Sequence, residues 1–237
     1  MNREYHRWYS HRLGREMELL LYGHGGEPVI LLPTSRGRFY QNEDFGLVGA
    51  LADRIQAGRY LVVCPDGIDE ESWLNRWAHP HDRVARHEAY EGYLLHEVVP
   101  LVRSRSSGGR LTLGGCSFGG FHTFNTGLRH PRVFQRLLSL SGKFETEPFL
   151  DGYHDEKVYF HSCLQWLPNV SDWGQLHALQ QVEMILAAGE HDFCRGSNEN
   201  LSKLLWQKDI GNHLAIWGGG IHDWPTWRDM IRTYLPW

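Results

Sequence analysis

Short apolar runs alternate with longer helical patterns through most of this chain. Arg3 to Ser10 and Arg15 to Tyr22 read as an antiparallel pair turning at Leu13-Gly14. Then come Val29 to Leu32, Tyr60 to Cys64, Leu111 to Gly115, Leu137 to Leu140, Met184 to Ala188 and Leu214 to Trp217. Each is short and rich in Val, Ile and Leu, the composition of parallel strands covered on both faces. Helical patterns separate them: Leu47 to Ala57, Arg83 to Arg103, Phe118 to Arg129, a helix within Ser197 to Lys208, and a last one over Pro225 to Leu235. Pro225 suits a first helical turn, where its missing N–H costs no hydrogen bond. Such alternation predicts an α/β fold with a mostly parallel, doubly wound sheet and an antiparallel N-terminal hairpin. Right-handed crossovers place the loops that follow the parallel strands on one rim of that sheet.

Composition narrows the class. At 237 residues the chain can bury one sizeable core, and without a linker, repeat or low-complexity tract it reads as a single domain over 1–237. Hydrophobic residues make up 41% and charged residues 22%, as in ordinary soluble proteins. A net charge of -4 gives no electrostatic footprint for nucleic acid. No apolar run approaches the about 20 residues of a membrane span, so no membrane partner is expected. The polar start MNREYHRWYSHRLGREME does not read as a signal peptide. Cys64, Cys116, Cys163 and Cys194 are widely spaced and are expected as free thiols. Together these point to a cytoplasmic protein, and a homo-oligomer is compatible with them.

The chemistry begins at Gly115-Cys116-Ser117-Phe118-Gly119, a G-x-S-x-G match with the strand pattern LTLGG before it and the helical pattern from Phe118 after it. A serine on such a strand-to-helix turn has strained backbone and holds its hydroxyl out of the fold, beside the positive end of a helix. That hydroxyl is a poor nucleophile at neutral pH and needs a base, and the base needs a carboxylate to fix its tautomer. Two loops after predicted strands supply them: Gly189-Glu190-His191-Asp192-Phe193, and Gly218-Gly-Gly-Ile-His222-Asp223-Trp224. The chain order Ser117, Asp192, His222 is that of α/β-hydrolases. Glu190 is the rival acid, but it lies closer to the strand end. His191 abuts the acid and His213 precedes its strand, so neither is expected to reach the serine. Asp223 reads as the cap of the last helix.

With these residues in place the chain resembles the esterase branch of the α/β-hydrolases, the group that includes esterase D-like S-formylglutathione hydrolases and bacterial mycolyltransferases. The matching pieces are Pro33-Thr-Ser-Arg-Gly-Arg-Phe39, Cys116-Ser-Phe-Gly-Gly120, Gly189-Glu-His-Asp192 and Gly220-Ile-His-Asp-Trp224, with Tyr90-Glu-Gly-Tyr and Glu97-Val-Val-Pro100 before the nucleophile strand. The resemblance spans Val29 to Leu235. It implies an α/β-hydrolase fold and serine ester hydrolysis of a small-molecule ester. Cys116 fills the position before the serine, where the family varies. Glu145 to Leu176, the segment that covers the active site in such folds, has no matching feature and is expected to be a lid or pocket-covering insertion over about 145–176.

An oxyanion hole follows from the same geometry. The residue after the nucleophile, Phe118, donates its backbone N–H. The second donor comes from Thr34-Ser35-Arg36-Gly37, and the resemblance favours the N–H of Ser35 or Arg36, with Gly37 suited to a positive φ. Trp224, two residues beyond His222, is expected near substrate. The run His79-Pro80-His81-Asp82, with His87 beyond, lacks metal-ligand spacing. It reads as a loop ending in an Asp82 cap for the helix from Arg83, with Trp73 and Trp77 bordering the pocket. Neither a metal nor any other cofactor is expected. The expected activity is that of a serine carboxylesterase working through an acyl-enzyme. An acyltransferase or thioesterase using the same triad is the alternative within this chemistry, and a non-catalytic binding module on a hydrolase scaffold is the alternative outside it.

Overall fold

A computed structural model describes residues 1–237. Eight strands form one sheet: β1 (Arg3–Ser10), β2 (Arg15–Tyr22), β3 (Glu27–Leu32), β4 (Tyr60–Pro65), β5 (Thr112–Cys116), β6 (Arg136–Leu140), β7 (Glu183–Gly189) and β8 (His213–Trp217). Their order across the sheet is β1-β2-β4-β3-β5-β6-β7-β8. The hairpin β1–β2 is antiparallel, and β2 joins β4 antiparallel. From β4 to β8 every pairing is parallel. This is the α/β-hydrolase fold, with helices on both sides of a mostly parallel sheet and an antiparallel N-terminal hairpin.

The apolar runs explain the two-sided cover. Successive residues of a strand face opposite ways, so Leu137 packs into one core with Leu113, Phe121 and Leu186, while Leu138 packs into the other with Leu31, Val62 and Ile231. Full burial of such a side chain is worth about 1.5–3 kcal/mol. In the helix Phe118–Arg129 every residue from Phe118 to Leu128 is buried, so it is a central element rather than an amphipathic surface one.

Several elements depart from the expected boundaries. Leu47 to Ala57 is divided into a 3₁₀ turn, Gly49–Leu51, and a short helix, Ala52–Gln56. The expected helix from Arg83 to Arg103 starts earlier, at Pro80, and runs regularly only to Tyr93. A π turn follows over Leu94–Val98 before the helix resumes at Val99–Arg105. Pro100 lacks an N–H and crowds the preceding turn, which a widened π turn accommodates. The N-cap of the helix Pro80–Tyr93 is His79, whose ring accepts the His81 N–H, so Asp82 lies in the first turn rather than at the cap. Asp223 does cap the last helix, Trp224–Tyr234.

The segment after β6 contains short helices, Glu156–Phe160, Cys163–Trp166 and Trp173–Gln180. It is tied to the helix Pro80–Tyr93 by Arg83, which donates to the Phe149 carbonyl, and by pairs His81–Asp155 and Lys157–Glu88. Its start, Glu145, Glu147 and Pro148, lines a surface pocket, while Val158, Cys163 and Leu167 are buried in the core.

Candidate active site

Ser117 sits on the turn between β5 and the helix Phe118–Arg129, at φ 54 and ψ -118. This left-handed region is costly for a residue with a side chain. The turn is held by the Ser117 N–H donating to the Leu140 carbonyl (2.8 Å) and the Gly120 N–H donating to the Ser117 carbonyl (2.9 Å). Gly119 is required by close approach: a Cβ there would lie 2.6 Å from the Pro33 carbonyl oxygen. The start of the helix therefore touches the loop that follows β3.

The loops after β7 and β8 bring two more side chains to this point. His222 Nε2 lies 2.9 Å from Ser117 Oγ. His222 Nδ1 lies 2.9 Å from Asp192 Oδ1, which also accepts the Cys194 N–H at 2.7 Å. The Asp192 side chain is completely buried and the His222 side chain is 14% exposed. Burial alone would raise the Asp192 carboxyl. Hydrogen bonding by His222, by the Ser141 hydroxyl and by the Cys194 amide outweighs it and holds the group below the ordinary carboxylate range. The two loops can meet because Gly189 has no Cβ, which would lie 2.3 Å from Gly220 backbone atoms.

The rival residues lie elsewhere. Glu190 accepts the Gly219 N–H at 3.0 Å, so it braces the histidine loop from its outer side. That backbone hydrogen bond lowers its carboxyl. His191 is exposed, beside Glu190, and His213 packs near Tyr234 at the far end of β8.

Several aromatic rings gather around His222. Trp224 does not face the imidazole. It stacks on Phe45 at 4.7 Å and meets Trp227 edge-on. Trp227 is the residue against His222, edge-on at 5.0 Å, and its indole N–H donates to Ser141 Oγ at 2.8 Å. On the open side Phe193, 75% exposed, lies with its ring centre 4.1 Å from that of His222. Phe193 also lines a pocket of about 380 Å³ with Lys143, Glu145, Glu147, Pro148 and Ser197. Sequence reasoning missed Phe193 and Trp227. The available signals were that Phe193 follows the acid directly, and that Trp227 lies one helical turn beyond Asp223. Trp73 is buried against Phe121 and Trp77 is fully exposed, so neither borders this pocket.

The loop after β3 also corrects an expectation. Arg36, not Gly37, takes the positive φ, at 58. Its N–H is donated to Asp69 Oδ2 at 3.0 Å and is not free for a substrate oxygen. The N–H groups of Ser35 and Phe118 have no acceptor within the chain.

His87, Glu91 and His161 converge elsewhere in the core with their ligand atoms within 4.8 Å of one another. Arg129 donates to both Glu91 and His161, so its guanidinium takes up the lone pairs a metal would need. All four cysteines are buried and free. No helix is long and apolar enough to cross a membrane.

Among solved structures the chain is similar to a ferulic acid esterase, with 17% identity, a TM-score of 0.79, and coverage of 99% of this chain and 96% of that one. It is similar to an S-formylglutathione hydrolase from Agrobacterium tumefaciens, with 16% identity, a TM-score of 0.76, and coverage of 98% and 92%. An S-formylglutathione hydrolase from Staphylococcus aureus gives 16% identity, a TM-score of 0.72, and coverage of 99% and 95%. No curated protein matches by sequence. At these identities the likeness establishes the fold. The family model described as "Putative esterase" matches residues 10–237, and the chain belongs to that esterase family of α/β-hydrolases.

Proposed function

We propose that this esterase-family member is a serine carboxylesterase acting on small-molecule esters. The observation that carries the reading is the unbroken line from Ser117 Oγ through His222 to Asp192, with both contacts at 2.9 Å. Ser117 Oγ attacks the ester carbonyl carbon while His222 Nε2 takes its proton. The carbonyl oxygen becomes an oxyanion and accepts hydrogen bonds from the Phe118 and Ser35 N–H groups, near the positive end of the helix Phe118–Arg129. The tetrahedral intermediate collapses, and the departing alkoxide takes the proton held by His222. Water then gives a proton to His222 and attacks the acyl-enzyme. The second intermediate releases the carboxylic acid, and the proton returns to Ser117. Asp192 holds the imidazole tautomer and stabilises its charged form throughout.

The two unsatisfied N–H groups support Phe118 and Ser35 as oxyanion donors, and loss of one such donor typically costs about 10²–10³ in rate. Phe193 flanks the imidazole on its open side and contributes to the substrate-binding surface. Ser117→Ala tests the assignment. The purified, folded variant should lose ester hydrolysis, and near-wild-type turnover would remove Ser117 from the mechanism. Thioesters and alternative acyl acceptors assayed with the same enzyme separate hydrolysis from acyl transfer.

A further inference from the structure

The two amides assigned to the oxyanion hole come from different parts of the chain. Phe118 opens the helix after β5, whereas Ser35 lies in the loop after β3. A third segment, the loop after β4, carries Asp69, whose carboxylate is bonded to a neighbour of each amide, Arg36 beside Ser35 and His122 one turn beyond Phe118. Its Oδ2 accepts the Arg36 N–H at 3.0 Å, next to Ser35. Its Oδ1 lies 2.8 Å from His122 Nε2, one helical turn beyond Phe118. The Asp69 and His122 side chains are each 3% exposed. The His122 ring is also wedged edge-on against the Phe118 ring at 4.6 Å and stacks on His87 at 5.2 Å.

We propose that Asp69 and His122 are the positioning pair of the oxyanion hole, setting the Ser35 amide at its working distance from the Phe118 amide. The proposal rests on the serine-hydrolase reading above. The carboxylate takes the one N–H of the loop that would otherwise compete for the substrate oxygen, and it fixes Arg36 in its left-handed conformation. That conformation fixes the course of the loop, in which the Ser35 N–H has no internal acceptor. An oxyanion hole depends on donors fixed before reaction, because donors that must reorganise lose most of their effect. A buried carboxylate gripping both sides supplies that rigidity, since its bonds are charge-assisted and shielded from water.

The test is steady-state kinetics and inhibitor affinity for Asp69→Ala and Asp69→Asn, with an ester substrate and a boronic acid that forms a tetrahedral adduct. Asp69→Ala should lower kcat by about 10²–10³, the usual effect of one oxyanion donor. KM should stay within about threefold, and boronate affinity should fall in parallel with kcat. Asp69→Asn keeps an oxygen for the Arg36 N–H and should restore kcat to within about tenfold of wild type, since one of the two bonds is retained. A role confined to stability would lower the melting temperature of Asp69→Ala but leave kcat and boronate affinity of the folded enzyme unchanged, and that result overturns the proposal. If Asp69→Ala does not fold, His122→Phe keeps the ring packing and removes the Nε2 contact. Its kcat and boronate affinity should both fall about tenfold or more, and wild-type values would equally overturn the proposal. Ser117→Ala is run beside these variants. Activity remaining there defeats the serine reading itself, whereas normal loss there with unchanged kcat in Asp69→Ala defeats this inference alone.

Discussion

At the scale of single residues, the distribution of charge distinguishes the two carboxylates of the loop after β7. Asp192 is buried and bonded to His222, whereas Glu190 is half exposed and bonded to the Gly219 amide. Only the first can fix the imidazole tautomer. Asp192→Asn should therefore lower kcat by about 10⁴ through the wrong histidine tautomer. Glu190→Gln keeps an acceptor for Gly219 and should change kcat by less than about tenfold. Steady-state rates of the two purified variants check this, and a reversed ranking would make Glu190 the acid. The convergence of Ser117, Asp192 and His222 was legible because each lies in a glycine-containing loop or turn after an apolar run. Arg36 was misread because a left-handed residue is expected to be glycine. What holds Arg36 there is Asp69, a partner distant in sequence. The orientation of the Trp224 ring was not legible for a related reason. Proximity to His222 along the chain says nothing about which way a ring turns, and Phe45, from a separate helix region, draws it aside.

Among the elements, the six parallel strands were readable from their apolar runs; five of them are almost wholly buried, while the edge strand β8 is only partly covered. The short helices of 156–180 were not, because their fixing interactions are tertiary. Asp155 shows how. It caps Glu156–Phe160 through the Val158 N–H at 2.7 Å and also meets His81 and the Tyr153 hydroxyl, each at 2.8 Å. Burial works against the ionised form, but the Val158 amide, His81 and Tyr153 outweigh it and hold the carboxyl at about 2. An unfolded aspartate titrates near 3.9. The folded value is the lower one, so the ionised group adds stability that is complete above about pH 4 and is lost as pH falls towards 2. Asp155→Asn should consequently destabilise the protein above pH 4, and the difference from wild type should shrink towards pH 2. Urea unfolding of both proteins over pH 2–6 checks it, and a difference that does not vary with pH would show that the charge contributes nothing.

For the whole molecule, one sheet passes through the chain from β1 to β8, and its two cores share every central strand. The last helix is fastened back to the early part by Arg54, which donates to the Arg232 and Leu235 carbonyls at 2.6 Å. We propose that residues 1–237 form one folding unit, so calorimetry should record a single transition with matching calorimetric and van't Hoff enthalpies. Two resolved transitions would show that the segment after β6 unfolds by itself. That the loops carrying Ser117, Asp192 and His222 share one rim follows from right-handed crossovers and was readable from the alternation of strands and helices, whereas the order of the strands across the sheet was not. The distances within the site depend on close backbone contacts at Gly119 and Gly189, which residue type alone suggests but does not measure.

The central claim is that Ser117 is a nucleophile activated by His222 and Asp192. Reaction of the native protein with a fluorophosphonate, followed by peptide mass mapping, tests it most directly. One phosphonyl group should attach to Ser117, with concurrent loss of ester hydrolysis. His222→Ala should slow the labelling by about 10³ or more, because the serine then lacks its base. A native, folded protein that hydrolyses esters yet carries no label on Ser117 after complete inactivation would contradict the account.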